Sequence, residues 1–86
     1  MKVLIPTPLH SYTGGRSVAE ASGETLDEAV RDLDRQYPGL RFRMIDEQDR
    51  IRPHIKVFLN GDQVFDLGAR VRTSDDVAIV QAFSGG

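Results

Sequence analysis

The chain closes on Ser84-Gly85-Gly86, directly behind an alternating apolar run, Val77-Ala78-Ile79-Val80-Gln81-Ala82-Phe83. Glycine has no side chain to pack and loses the most backbone entropy on ordering, so two glycines are a poor way to finish a fold. One reading is a frayed end. The other is that the terminus is itself the reactive group. A tail without β-carbons is slim enough to enter a narrow partner channel and bring the Gly86 carboxylate beside a nucleotide. A free α-carboxyl has a pKa of about 3.3–3.7, so at neutral pH it is ionised and inert toward nucleophiles until something activates it.

No other residues assemble a competing chemistry. The chain has no cysteine, which excludes disulfides, thiolate metal sites and a thiol nucleophile. His10 and His54 are the only histidines and lie far apart, so no metal site is expected. Gly14-Gly15 lacks the following Lys-Ser/Thr of a phosphate-binding loop and reads as a turn. With no nucleophile constellation, acid/base pair or cofactor motif, the chain is not expected to be an enzyme or to hold a cofactor of its own.

The elements that would carry such a terminus can be read from local pattern. Lys2 to Pro6 reads as a strand, Thr13-Gly14-Gly15 as a turn, and Arg16 to Ala21 as a returning strand with Val18 facing inward. Thr25 and Glu28 form a capping box. Leu26, Ala29, Val30, Leu33 and Tyr37 then make one buried stripe of a helix that Tyr37-Pro38-Gly39 ends. Leu40 to Ile45 predicts a short turn or helix, with Leu40, Phe42 and Ile45 reaching the core. Asp46 to Arg50 is a polar loop. His54 to Leu59 is a strand with Ile55, Val57 and Leu59 on one face and Lys56 and Phe58 on the other. Asn60-Gly61 marks a tight turn, Val64 to Leu67 a short strand, Thr73 to Asp76 a turn, and Val77 to Phe83 the last strand. A hairpin, a crossing helix and a late strand set parallel beside the first predict an α+β, β-grasp (ubiquitin-like) fold. Its mixed sheet of four to five strands would pack on one main helix, as a single domain over residues 1–86 with a flexible tail at 84–86.

The order and spacing of several short motifs carry a resemblance over nearly the whole chain. They are Ile5-Pro6 with Thr13-Gly14-Gly15, Gly23-Glu24-Thr25-Leu26, Tyr37-Pro38-Gly39-Leu40, Val57-Phe58-Leu59-Asn60-Gly61, Ser74-Asp75-Asp76-Val77 and the terminal Gly85-Gly86. Together they resemble the small sulfur-carrier proteins of the MoaD/ThiS type, most of all the molybdopterin-synthase and cysteine-synthase carriers. The chain departs from many relatives at Ser74-Asp75-Asp76 and in its Gln81-Ala82-Phe83-Ser84-Gly85-Gly86 ending. The resemblance implies that an E1-like adenylyltransferase/sulfurtransferase uses ATP to adenylate Gly86. A sulfur donor then converts the adenylate to a thiocarboxylate, and a downstream sulfur-accepting synthase consumes it. Ser84 and Gly85 would form the stem in the partner channel.

A body that delivers a tail must also dock. If Val77 and Ile79 point into the core, Phe58 and Val80 lie on or near the outer sheet face and Phe83 at the root of the tail. Lys56, Arg70 and Arg72 would then rim an apolar partner surface. The competing reading makes Phe58 or Phe83 part of the core. Net charge is −2, with acids prevailing up to residue 34 and bases between 35 and 72, so nucleic acid is not an expected partner. The longest apolar run is far too short to cross a bilayer, and the opening Met1 to Pro6 is too short for a signal peptide, so a cytoplasmic location is expected. Two other functions stay open: a ubiquitin-like modifier conjugated through Gly86, and a non-covalent β-grasp interaction module.

Overall fold

A computed structural model describes residues 1–82. Strand β1 (Lys2–Leu4) leads through a 3₁₀ helix (Thr7–Tyr12) to β2 (Val18–Glu20). Helices α1 (Leu26–Gln36) and α2 (Leu40–Met44) follow, then β3 (Ile55–Leu59), β4 (Asp62–Val64) and β5 (Asp76–Gln81). The sheet order is β2-β1-β5-β3-β4. β5 therefore occupies the centre, parallel to β1 and antiparallel to β3. This is the β-grasp arrangement expected from the element order.

Local chemistry accounts for α1. The Thr25 hydroxyl accepts from the Glu28 amide at 3.2 Å, and the Glu28 carboxylate reaches back to the Glu24 amide at 3.1 Å. The next amides of the first turn are satisfied from outside the helix. Leu26 N–H donates to the Ala69 carbonyl and Asp27 N–H to the Leu67 carbonyl, each at 2.9 Å. The segment after β4 thus completes the helix N-terminus, whose first amides have no intrahelical partner. Leu26, Ala29, Val30 and Leu33 are buried, and Tyr37 packs half-buried against them. Gly39, at φ 96°, turns the chain sharply into α2.

Across the sheet, Val3, Ala19, Val57, Val77 and Ile79 face this helix and are buried. Here several expectations need correction. Val18 is not the inward residue of β2. The register sets Val3 beside Ala19, so Ala19 and Ala21 enter the core, while Val18 pairs with Leu4 on the other face and is 38% exposed. Phe42 does not reach the core either, being 55% exposed. Leu40 and Met44, four residues apart, form the buried face of α2, and Phe42 falls on the opposite side. There the Arg52 guanidinium covers its ring at 4.6 Å. Ile45 is buried as expected.

The fourth strand starts earlier than the composition suggested. Asn60 and Gly61 both have positive φ, 51° and 90°, the geometry of a two-residue hairpin turn. Such a turn closes on the pair Leu59–Asp62, so β4 begins at once and Phe65 already lies beyond it. The first strand ends at Leu4, and the 3₁₀ helix that follows carried no signal in the alternation of apolar residues. The last strand ends at Gln81, and the Ala82 amide extends its ladder to the His54 carbonyl at 2.7 Å. Phe83 lies outside the described residues.

Candidate functional site

The sheet face away from the helices gathers side chains that are distant in sequence. Leu4 lies opposite Val18 on one side and Ala78 on the other, and Ala78 lies opposite Phe58. The four make one row across the strands β2-β1-β5-β3. One step along β5, Val80 pairs with Lys56 and is 42% exposed. The row follows from period-2 alternation: β5 sends Val77 and Ile79 inward, so Ala78 and Val80 must face out. Phe58 is half-buried on this face and does not belong to the core cluster. Its place in the outer row agrees with the sequence expectation, as does that of Val80.

At the end of this face β5 leaves the sheet. His54 holds Ala82 through its backbone, and on the inner side Tyr12, Arg43, His54 and Gln81 line a groove of about 250 Å³ together with Pro8 and Ser11. Arg43 Nε donates to the Tyr12 hydroxyl at 2.5 Å, and its guanidinium lies 5.6 Å from the ring centre. One cation therefore stands fixed beside the exit of β5. His10 is engaged elsewhere, with Nε2 2.9 Å from the Ile5 carbonyl. Among the described residues no group of three or more His, Cys, Asp or Glu is placed to hold a metal ion.

Arg70 and Arg72 do not join this face. Arg70 bridges to Thr25 at the start of α1, and Arg72 opens the turn that precedes Asp76. Both lie at the end of β5 opposite its exit, so only Lys56 of the three expected basic residues borders the apolar row. Gly86, Gly85, Ser84 and Phe83 lie outside the described residues. The sequence reading missed Leu4 and Val18 as members of the outer row, and Arg43 and Tyr12 at the exit of β5. Leu4 alternates with the buried Val3 and Ile5, and that alternation was the available signal. Nothing local pairs Arg43 with Tyr12.

Three acids have structural partners. The Arg31 guanidinium, aided by Arg41, holds Asp27 below the ordinary carboxylate range, and the Ser22 amide does the same to Asp32. Asp75 ties the start of β5 to the hairpin turn. It accepts from Asn60 Nδ2 at 3.0 Å and from the Arg72 amide at 2.8 Å, while Asn60 Oδ1 accepts from the Asp76 amide at 2.9 Å. These bonds, the one from Asn60 first, lower its pKa from the ordinary 3.8. A carboxylate more acidic in the folded chain than in the unfolded one contributes fully above 3.8 and is lost as the pH falls through the folded value. The thermal midpoint is therefore expected to drop as the pH is lowered below about 4, and Asp75→Asn should flatten part of that drop. Midpoints measured across acid pH for both chains check this. Parallel curves would refute the role of Asp75.

The five-strand sheet with its crossing helix and central parallel last strand places the chain among the ubiquitin-like β-grasp proteins. The ThiS family profile matches residues 3–86, and the chain belongs to the ThiS family. It is 33% identical over 89 residues to the sulfur carrier protein CysO of Mycobacterium tuberculosis, covering 98% of this chain and 96% of that protein. It is 34% identical over 59 residues to small archaeal modifier protein 3 of Haloferax volcanii, covering 69% and 63% of the two chains. Among solved structures, the BexX/CysO complex of Amycolatopsis orientalis matches with a TM-score of 0.91 and 33% identity, over 99% of this chain and 98% of that one. No helix of the described residues is long and apolar enough to cross a membrane.

Proposed function

We propose that this protein is a sulfur carrier, with Gly86 as its loading point. The Gly86 carboxylate attacks the α-phosphate of ATP in an E1-like partner and pyrophosphate leaves. A sulfur nucleophile then attacks the acyl-adenylate carbon and expels AMP, so the terminus ends as a thiocarboxylate. In a downstream synthase the thiocarboxylate sulfur is bonded to the acceptor, and water then cleaves the acyl group from the product and restores the carboxylate. ATP belongs to the activating partner, and this chain supplies the terminal carboxylate that is activated and no side-chain acid, base or nucleophile. The absence of cysteine suits such a role, since no internal thiol competes for the activated terminus.

The observation that carries this reading is that β5 leaves the centre of the sheet with the apolar row Val18-Leu4-Ala78-Phe58 and Val80 beside it. A partner gripping that face would have the strand's end delivered into its own cleft. The family match and the sulfur-carrier relative support the same reading. The archaeal modifier relative favours a second one, in which the activated Gly86 ends in an isopeptide bond to a lysine.

The test is the intact mass of the protein after incubation with ATP, a sulfide source and an E1-like adenylyltransferase from the same organism. A gain equal to replacing one oxygen by sulfur, mapped to Gly86, is expected. No gain, with the enzyme active on its own carrier, would refute the sulfur-carrier reading, and conjugates that survive thiol reagents would favour the modifier. Val80→Asp should fold normally, since the side chain faces solvent, yet weaken binding to the activating enzyme at least about tenfold, roughly 1.4 kcal/mol. A binding titration checks this, and unchanged affinity would remove the outer face from the interface.

A further inference from the structure

On the side of β3 away from β5, the sheet comes apart. β4 ends at Val64, opposite Val57, so Ile55 and Lys56 have β5 on one side and no strand on the other. The chain instead turns over Asp66, whose carbonyl accepts from the Ala69 amide at 3.1 Å and whose carboxylate accepts from the Gly68 amide at 2.9 Å. This leaves a wedge of about 460 Å³, with Ile51, Ile55, Val64 and Leu67 among its lining. Phe65 stands in its wall at 78% exposure. The other exposed large apolar side chains have a place already: Leu4, Val18 and Val80 on the outer sheet face, and Phe42 under Arg52. Phe65 belongs to neither group.

The charges around the wedge are unequally committed. Asp49 is paired with Arg41 at 3.0 Å, and Asp66 is engaged by the Gly68 amide. Among the described residues, Arg50, Arg52 and Lys56 line the wedge and enter no ion pair, although Arg50 donates to the Gln48 side chain and Arg52 Nε to the Phe42 carbonyl at 2.7 Å, which leaves other N–H groups of each guanidinium for a ligand. The ladder alternation supplies one more group. Leu59 and Val57 bond toward β4, so the Ile55 carbonyl also points to that side, into the gap.

We propose that this wedge binds an extended, acidic segment of a partner protein. An apolar side chain of the segment packs against Phe65 and Ile51, its carboxylates meet Arg50 and Arg52, and a main-chain N–H reaches the Ile55 carbonyl. The apolar lining favours a peptide over a nucleic acid, which has no aliphatic side chain to bury against Ile51, Val64 and Phe65. The site needs neither the tail nor its activation.

The test is an NMR titration of the isotope-labelled full chain with three probes. One is a blocked peptide alternating apolar with Asp or Glu residues, one is its counterpart with Lys at every acidic position, and one is a single-stranded oligonucleotide. The acidic peptide is expected to shift the amides of residues 55–56 and 64–67. Its affinity should fall at least about tenfold with the lysine peptide, with Arg50→Glu and with Phe65→Ser. Both substituted side chains are exposed, and the remaining amides of each variant report directly on the fold. Arg50→Glu should leave the loading of Gly86 unchanged, which separates this site from the proposed function. The proposal fails if both peptides bind equally, if the oligonucleotide is preferred, if the shifts fall on Val18, Leu4 and Ala78 instead, or if millimolar peptide moves nothing.

Discussion

Deleting Gly86 is expected to cut loading of the terminus by well over a hundredfold while leaving the fold untouched. The shortened chain still ends in a carboxylate on a glycine, so the intrinsic chemistry of the reacting group is conserved and only its position changes. One residue of extended chain spans about 3.3–3.6 Å. A misplacement of about 1 Å at a reacting centre can cost a hundredfold, so a shift of this size is expected to reduce adenylation by well over a hundredfold. The ladder from Ile55 to Leu59 and the bond from Ala82 to His54 do not involve the deleted residue, so the thermal midpoint should not move. ATP–pyrophosphate exchange with the activating enzyme, read beside thermal unfolding, checks both halves. A truncated chain that loads at the full rate would refute the assignment of Gly86, whereas one that unfolds early would say the terminus is structural. Gly86→Ala keeps the length and adds only a β-carbon, so it should load more slowly than the parent and faster than the deletion.

Gly23→Ala should be among the most damaging conservative changes in the body of the protein. Gly23 has φ +155°, which L-residues rarely adopt. A β-carbon there would also stand 2.7 Å from Glu28 Cβ and 2.8 Å from the Ala29 amide nitrogen. Both atoms belong to the first turns of α1, and moving them would disturb the Thr25 cap and the bonds to Leu67 and Ala69. Backbone strain of about 1–3 kcal/mol and an overpacking cost of about 1–3 kcal/mol together give roughly 2–6 kcal/mol. Small domains have only about 5–15 kcal/mol in all. Gly61 supplies the internal control. It too has positive φ, but a β-carbon there meets nothing within 4 Å, so Gly61→Ala should cost only the left-handed strain of about 1–2 kcal/mol. Denaturant unfolding of the two variants side by side decides the matter, and equal losses would show that the Gly23 contact relaxes.

The contrast between these two glycines marks where local reading stops. Asn60-Gly61 is legible as a turn because the conformational demand is met within the dipeptide itself. Gly23 looks like any loop glycine until α1 is laid against it. The same boundary runs through the rest of the chain. The Thr25–Glu28 cap, the stripe from Leu26 to Leu33, the hairpin at Asn60-Gly61 and the inward Val77 and Ile79 rest on interactions spanning a few residues, and the sequence by itself determined them. The central place of β5 was expected because the order of elements matches the β-grasp pattern, and the strand pairing bears it out.

Register and the paths of connecting segments were decided only by the tertiary structure. Val18 was misplaced because a three-residue strand with one large apolar residue does not reveal which face is inward, and pairing with Val3 makes that choice for Ala19. Phe42 was misplaced because a single-turn helix has too few positions to express a period. Arg70 and Arg72 lie near Lys56 in sequence terms only, since the segment after β4 carries them past the start of α1 to the far end of β5. The outer row is the same kind of fact: Val18, Leu4, Ala78 and Phe58 come from four strands and meet through hydrogen-bond registers. Local sequence states each residue's preference, but long-range pairing selects which neighbours share a face. The terminal glycines raise the question of a reactive terminus by composition alone, while the outer row that the proposed function assigns to a partner exists only once the strands are paired.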